Sequence, residues 1–256
     1  MQLNFKQLGQ GQPLIILHGL LGSADNWLTI SKAFAEKYTV FLVNQRNHGR
    51  SPWDDTHTYE ALSNDLHEFI ESHNLQNPVL LGHSMGGKTV MFYATRYQNF
   101  EKIIVVDIAP KPYMVDYSDY FTGMMGMNLA ATENRQQAEE FLTPYAPDFG
   151  VRQFLLKNLY RDEKGHFAWR PNLEILSSQT KNIGQMLPEN AFSDKPALFI
   201  RGERSDYILD SDWLDIIEHF PNSRLETVAG AGHWVQAEQP AGFLEKVLPF
   251  LEILGN

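Results

Sequence analysis

The chain has 256 residues, no cysteine and a formal charge of −10, with 31 acidic against 21 basic side chains. Its length suits one large domain, or one domain with an insertion, and the missing thiols exclude disulfides, cysteine nucleophiles and Cys-ligated zinc. An acidic chain without a Lys/Arg cluster argues against nucleic acid as a partner and weakens attraction to anionic membranes.

Strand and helix patterns alternate through the first half. Residues 3–8 read as an opening strand, and the wholly apolar run 14–17 as a strand buried on both faces. A helix over 27–36 and a buried strand over 39–43 follow. Leu62, Leu66, Phe69 and Ile70 stand at helical spacing, which predicts an amphipathic helix over 59–73. Short apolar runs at 79–81 and 103–106 predict two further buried strands, the second ending at Asp107. After Pro110 the rhythm changes. From 111 to 190 there are helical patterns and turns but no convincing buried strand, and the first part is rich in Tyr, Phe and Met. Buried strands resume at 197–200 and 225–228. Alternation of this kind implies a mainly parallel sheet with helices on both faces, an α/β fold. Residues 1–110 and 191–256 form its core, and 111–190 a helical cap lying over one end of the sheet. The first thirteen residues carry no charged-then-apolar leader pattern, and no apolar run approaches bilayer length. A cytoplasmic protein without a membrane span is the expectation; oligomeric state is not readable.

The most specific segment is 77–94, where a short strand meets a helix through Gly82-His83-Ser84-Met85-Gly86. This is a G-x-S-x-G pattern in the setting a nucleophile elbow requires, a serine held at a tight strand-to-helix corner with its hydroxyl exposed. The flanking glycines fit because such a corner leaves no room for Cβ atoms. Serine is a weak nucleophile near neutral pH and needs a base. His233, in a Gly-rich loop after the last strand, lies at the strand edge where open α/β sheets bind ligands. His18 and His48 sit in Gly-containing turns and suit structural hydrogen bonding. His57, His67, His73, His166 and His219 read as solvated, and His83 as pointing away from the serine. Backbone N–H groups of Met85 and of Leu20, in the loop His18–Gly22, are candidate oxyanion donors. Two carboxylates suit the third role of fixing the imidazole: Asp107 and Asp206, both at the ends of predicted strands and both between serine and histidine in the chain.

The same segment spells a rival. Gly82-x-x-x-x-Gly87-Lys88-Thr89 satisfies the phosphate-binding P-loop pattern, and the strand ending in Asp107 reads as its magnesium-binding partner. However, a P-loop normally follows the first strand of its domain, and this reading leaves the loops at 18–22 and 229–234 without a role. A noncatalytic binding protein on the same fold is the third class, since fold does not fix function.

Taken together, HGLLGS, NQRNHGRS, GHSMGGK, VVDIAP and AGAGHW resemble the α/β-hydrolase superfamily over essentially the whole chain, most closely the small bacterial carboxylesterases of the YbfF type. The resemblance implies an ester hydrolase with a helical cap, acting on a small-molecule ester and needing neither metal nor organic cofactor. It implies that the acid follows the sixth strand of the superfamily's sheet, which in this chain is Asp107. The superfamily's commoner acid position holds Ser205 here, with Asp206 one residue late. It also implies that 46–49 is a structural loop near the site. Short- to medium-chain acyl esters or thioesters suit this machinery, as do lactone and carbon–carbon bond hydrolysis. The aromatic and Met-rich start of the cap suits either an apolar acyl pocket or ordinary packing.

Overall fold

A computed structural model describes residues 1–252. Seven strands form one sheet in the order β1-β3-β2-β4-β5-β8-β9. They are β1 Phe5–Leu8, β2 Gln12–Leu17, β3 Tyr38–Val43, β4 Val79–His83, β5 Ile103–Val106, β8 Ala197–Gly202 and β9 Ser223–Val228. The edge strand β1 is antiparallel to β3, and every other pairing is parallel. The fold is therefore the mainly parallel α/β sheet that the apolar runs imply.

Both faces of the sheet are buried, and side-chain alternation divides the core in two. Ile15, Leu17, Leu80, Ile103 and Val105 point to one face, under the helices Tyr59–Ser72 and Met85–Ala94. Leu14, Ile16, Leu81, Ile104 and Val106 point to the other, under the helices Leu28–Phe34 and Pro240–Glu252. Parallel strands with helices on both sides need no polar face, which explains why these runs are apolar throughout. The expected helix over 27–36 begins earlier than its pattern implies, as a 3-10 turn at Ala24–Trp27 that passes into Leu28–Phe34.

Between β5 and β8 the chain is mostly helical, with helices at Ser118–Gly126, Arg135–Leu142, Phe149–Leu156, Leu173–Ser178 and Thr180–Ile183. It also holds a two-stranded antiparallel hairpin, β6 Leu159–Arg161 and β7 Phe167–Trp169, which the sequence pattern did not suggest. Strands of three residues are too short to show an alternation.

The register places the loops. Leu17 pairs with Gly82, His83 with Val106, Val106 with Ile200, and Gly202 with Val228. The chain segments leaving β2, β4, β5, β8 and β9 thus emerge side by side at one edge. The winding direction reverses around β2 and β4, which makes the crevice outside their carboxyl ends the expected binding place.

Candidate active site

Ser84 sits between β4 and the helix Met85–Ala94 with φ 52° and ψ −117°, a backbone conformation that a non-glycine residue adopts only under strain. The corner is built by close approach. A Cβ on Gly82 would meet the Gly86 carbonyl oxygen at 2.2 Å, and one on Gly86 would meet those of Leu17 and His18 at 2.5 and 2.7 Å. Both glycines of the G-x-S-x-G pattern are therefore required by backbone contact, as the sequence argument holds.

The loop after β2 lies against this elbow. A Cβ on Gly19 would come within 3.0 Å of the His83 ring and 3.2 Å of Ser84 Cβ. Two buried imidazoles hold the loop in place. His18 Nδ1–H donates to the Gly19 carbonyl (2.8 Å), while its Nε2 accepts from Gln45 N–H (3.1 Å). His48 Nδ1–H donates to the Arg46 carbonyl (2.9 Å), while its Nε2 accepts from Leu21 N–H (3.1 Å). Each ring needs one bare nitrogen, so each is neutral. Burial pushes His18 down to about 3, helped by His48 nearby, and His48 down to about 4. Because His48 occupies the Leu21 amide, Leu20 is left as the oxyanion candidate in this loop. It lines the cavity with Ser84. Met85 opens the following helix, where the first amides have no partner within the helix. The 46–49 loop is anchored by Arg46, whose guanidinium grips Asp65 with bonds of 2.6 and 2.8 Å.

Asp107 leaves β5 with φ 52° and is fully buried. Its Oδ1 accepts from Gly202 N–H (3.1 Å), and its Oδ2 accepts from His233 Nδ1–H (2.8 Å) and from the Ser205 hydroxyl. Of the two candidate acids, the structure brings Asp107 to His233; Asp206 is exposed. Ser205, standing where the commoner acid would stand, instead supplies a hydrogen bond to Asp107. With Nδ1 engaged, His233 Nε2 is the nitrogen free to serve the cavity that His233 and Ser84 both line, which measures about 220 Å³.

Three contacts around the imidazole had no sequence signal. The Tyr207 ring stacks on the His233 ring at 3.8 Å between centroids and 21° between planes. Tyr207 lies next to Asp206 in the loop after β8, but nothing in that loop's pattern singles it out. His83, expected to face elsewhere, lines the cavity together with Ser84 and His233, and its Nε2–H donates to the His233 carbonyl (2.8 Å). Burial pushes His83 down to about 3, with His233 adding to the effect. Ser205 is the third, acting on the ring only through its hydrogen bond to Asp107.

Two histidines expected in solvent are buried. His57 is pushed down to about 2 by burial and by His48, and His219 Nδ1–H donates to the Ala191 carbonyl (2.7 Å). Both sit on segments whose flanks look polar, and tertiary packing covers them. From the aromatic and Met-rich stretch, Tyr117 and Tyr120 line the cavity, whereas Phe121, Met124 and Met127 pack in the core and Met114 is fully exposed. Tyrosines, not methionines, face the site.

Lys88 and Thr89 decide against a phosphate cradle. The Lys88 side chain is fully buried and aims at backbone carbonyls, and the Thr89 hydroxyl donates to Gln45 Oε1 (2.8 Å).

The family model for the alpha/beta hydrolase fold matches residues 12–240. The chain belongs to the α/β-hydrolase family. It is 34% identical to esterase YbfF of Escherichia coli K12, over 98% of this chain and 99% of that one. It is 37% identical to the sn-1-specific diacylglycerol lipase ABHD11 of Xenopus laevis, over 94% of this chain and 80% of that one. Among solved structures it resembles a marine microorganism esterase, with a TM-score of 0.94 and 40% identity over 97% of this chain and 99% of that one. No helix among the described residues of this α/β hydrolase is long and apolar enough to cross a membrane.

Proposed function

We propose that this carboxylesterase-type hydrolase cleaves carboxylic esters by two-step acyl transfer through Ser84. The class rests on the family and on relatives named as esterases and lipases. The observation that carries the finer reading is the partly buried Asp107–His233 bond, whose imidazole lines the same cavity as Ser84.

In this mechanism Asp107 fixes the imidazole tautomer with the proton on Nδ1, so Nε2 takes the proton from Ser84 as the hydroxyl attacks the ester carbonyl. The amides of Leu20 and Met85 stabilise the oxyanion. Tyr207, stacked on the ring, favours the imidazolium that forms, because an aromatic face attracts a cation. The leaving alcohol collects its proton from His233, and water then repeats the sequence on the acyl-enzyme. The apolar walls of the cavity, among them Val115, Val151 and Leu155, suit short- to medium-chain acyl groups. A smaller recess of about 20 Å³, between Ser84, Met85 and the rings of Tyr59 and Tyr113, borders the same serine.

The test is Ser84→Ala assayed on acyl esters of graded chain length, beside labelling of the native protein by a serine-directed fluorophosphonate. The expected loss in kcat is ~10³-fold or more with the fold retained. Turnover near that of the native protein would remove Ser84 from the reaction, and absence of labelling at Ser84 would favour a binding protein without catalysis.

A further inference from the structure

Lys88 has no part in the chemistry above, yet it is a fully buried cation on the helix that starts at the nucleophile. Its Nζ donates to three backbone carbonyls, those of Pro110 (3.3 Å), Lys111 (2.6 Å) and Gln185 (2.6 Å). Pro110 and Lys111 lie where the chain leaves the core after β5, and Gln185 lies where it returns toward β8. The two passages run against each other. Tyr113 N–H donates to the Gly184 carbonyl (2.8 Å), Leu187 N–H donates to the Pro110 carbonyl (2.8 Å), and a Cβ on Gly184 would come within 2.0 Å of the Tyr113 carbonyl oxygen. Three N–H donors for three carbonyls is the full capacity of an ammonium group.

The linkage continues toward His233. The Lys88 ammonium lies 5.2 Å from the centre of the Tyr113 ring. The Tyr113 hydroxyl accepts from Ala109 N–H (2.8 Å) and donates to the Tyr207 carbonyl (2.5 Å), and Tyr207 is the residue stacked on His233. Lys111 Nζ in turn holds Asp212 (2.6 Å), beside the same loop. One buried side chain thus meets the nucleophile helix, both passages of the inserted segment and the support of the imidazole.

We propose that Lys88 is a positioning residue, a clasp that fixes both ends of the 111–190 segment to the helix of Ser84 and so sets the width of the cavity beneath that segment. Burial, with Lys111 nearby, pushes Lys88 down to about 7, which reflects the cost of keeping a charge there. A methionine of similar length would fill the space and take the Lys88 donor from the Lys111 and Gln185 carbonyls, while the Pro110 carbonyl keeps Leu187 N–H.

The experiment is hydrogen exchange by mass spectrometry on the whole protein carrying Lys88→Met, together with steady-state kinetics. Exchange is expected to quicken at 109–113 and 184–187 while the helix Tyr59–Ser72 keeps its protection. Specificity is expected to fall about tenfold, through KM more than kcat and increasingly for longer acyl chains. Unchanged exchange at the two passages, or uniform acceleration along the chain, would overturn the proposal. If Lys88→Met does not fold, Lys88→Cys can be aminoethylated in denaturant and refolded. The reaction is selective because the native chain has no cysteine, and the product restores an amine at nearly the length of lysine. Return of native-like protection on aminoethylation supports the clasp, and a refolded product without it refutes it. Only the kinetic arm rests on the esterase reading: a clasp seen by exchange in a protein without esterase turnover would disprove that reading alone.

Discussion

Replacing Asp107 by asparagine, beside the same change at Asp206, separates the two carboxylates that sequence order allows. Asp107 is fully buried and accepts three hydrogen bonds, from Gly202 N–H (3.1 Å), His233 Nδ1–H (2.8 Å) and the Ser205 hydroxyl. Asparagine offers one acceptor oxygen where two are used. If its NH₂ faces Gly202, two donors oppose each other. If it faces His233, the imidazole must give up its Nδ1 proton and carry it on Nε2, where it can no longer accept one from Ser84. The second arrangement relieves the conflict at the expense of catalysis, and a wrong tautomer costs about 10⁴-fold in kcat, or roughly 5.5 kcal/mol of transition-state stabilisation. The Asp206 side chain is exposed, and its replacement should change kcat less than about threefold, within the small effects typical of free surface groups. Initial rates on a p-nitrophenyl acyl ester near neutral pH, with circular dichroism to verify folding, give both numbers. Native-like turnover in Asp107→Asn combined with collapse in Asp206→Asn would reverse the assignment and sever the link between the observed hydrogen bond and the reaction.

Beyond the Ser84 and Lys88 variants, two further outcomes are expected. Gly86→Ala would place a Cβ 2.5 Å from the Leu17 carbonyl oxygen. Since both partners are backbone, the elbow must shift, with a loss of about 2 kcal/mol or more in urea unfolding and a disproportionate fall in kcat; a stable, fully active variant would contradict the close-packed corner. His18, His48, His57 and His83 all have lowered proton affinity in the folded state. The unfolded chain therefore binds more protons below pH ~6.5, so their contribution is complete above that pH and is lost on acidification, by at most about 2 kcal/mol for each ring at pH 5. Urea titrations between pH 7 and 5 should show unfolding coupled to uptake of more than one proton. A slope of one or less would mean that the rings are not held neutral.

The sheet was legible because strands covered on both faces must be apolar along their whole length, and 14–17, 79–81 and 103–106 are short enough to be nothing else. The corner at Ser84 was legible for a related reason: only glycine tolerates a carbonyl where its Cβ would be, so backbone contact leaves a mark in the sequence. What left no mark was contact between side chains far apart in the chain. Ser205 meets Asp107 across 98 positions, and the ring of Tyr207 meets that of His233 from another strand end. His57 and His219 failed for the same reason, because burial by distant segments does not alter the polarity of near neighbours. Lys88 shows the converse, in a rival reading that its context already disfavours. A motif match offered it a phosphate, and the environment supplies carbonyls.

Backbone strain at the site follows from the same architecture. Leu21, Ser84 and Asp107 are among the few non-glycine residues with positive φ, at 56°, 52° and 52°. They lie just beyond the carboxyl ends of β2, β4 and β5, adjacent strands locked by parallel register. Each such residue costs on the order of 1–3 kcal/mol, which a lone loop would release by relaxing. Here relaxation is opposed by hydrogen bonds at the strained residues' own N–H groups. Ser84 N–H is held by the Val106 carbonyl (2.9 Å) and Asp107 N–H by that of Ile200 (2.7 Å), so these two strained residues are bonded to the strand beside them. At the Leu21 amide the partner is His48. Strain at the crevice is thus carried by the sheet's hydrogen bonds and its two buried faces. In return, the Ser84 side chain is turned out of the strand into the cavity, and the Asp107 carboxylate is set beneath His233. A loosened strand pairing between β4 and β5 should accordingly harm turnover before it unfolds the protein.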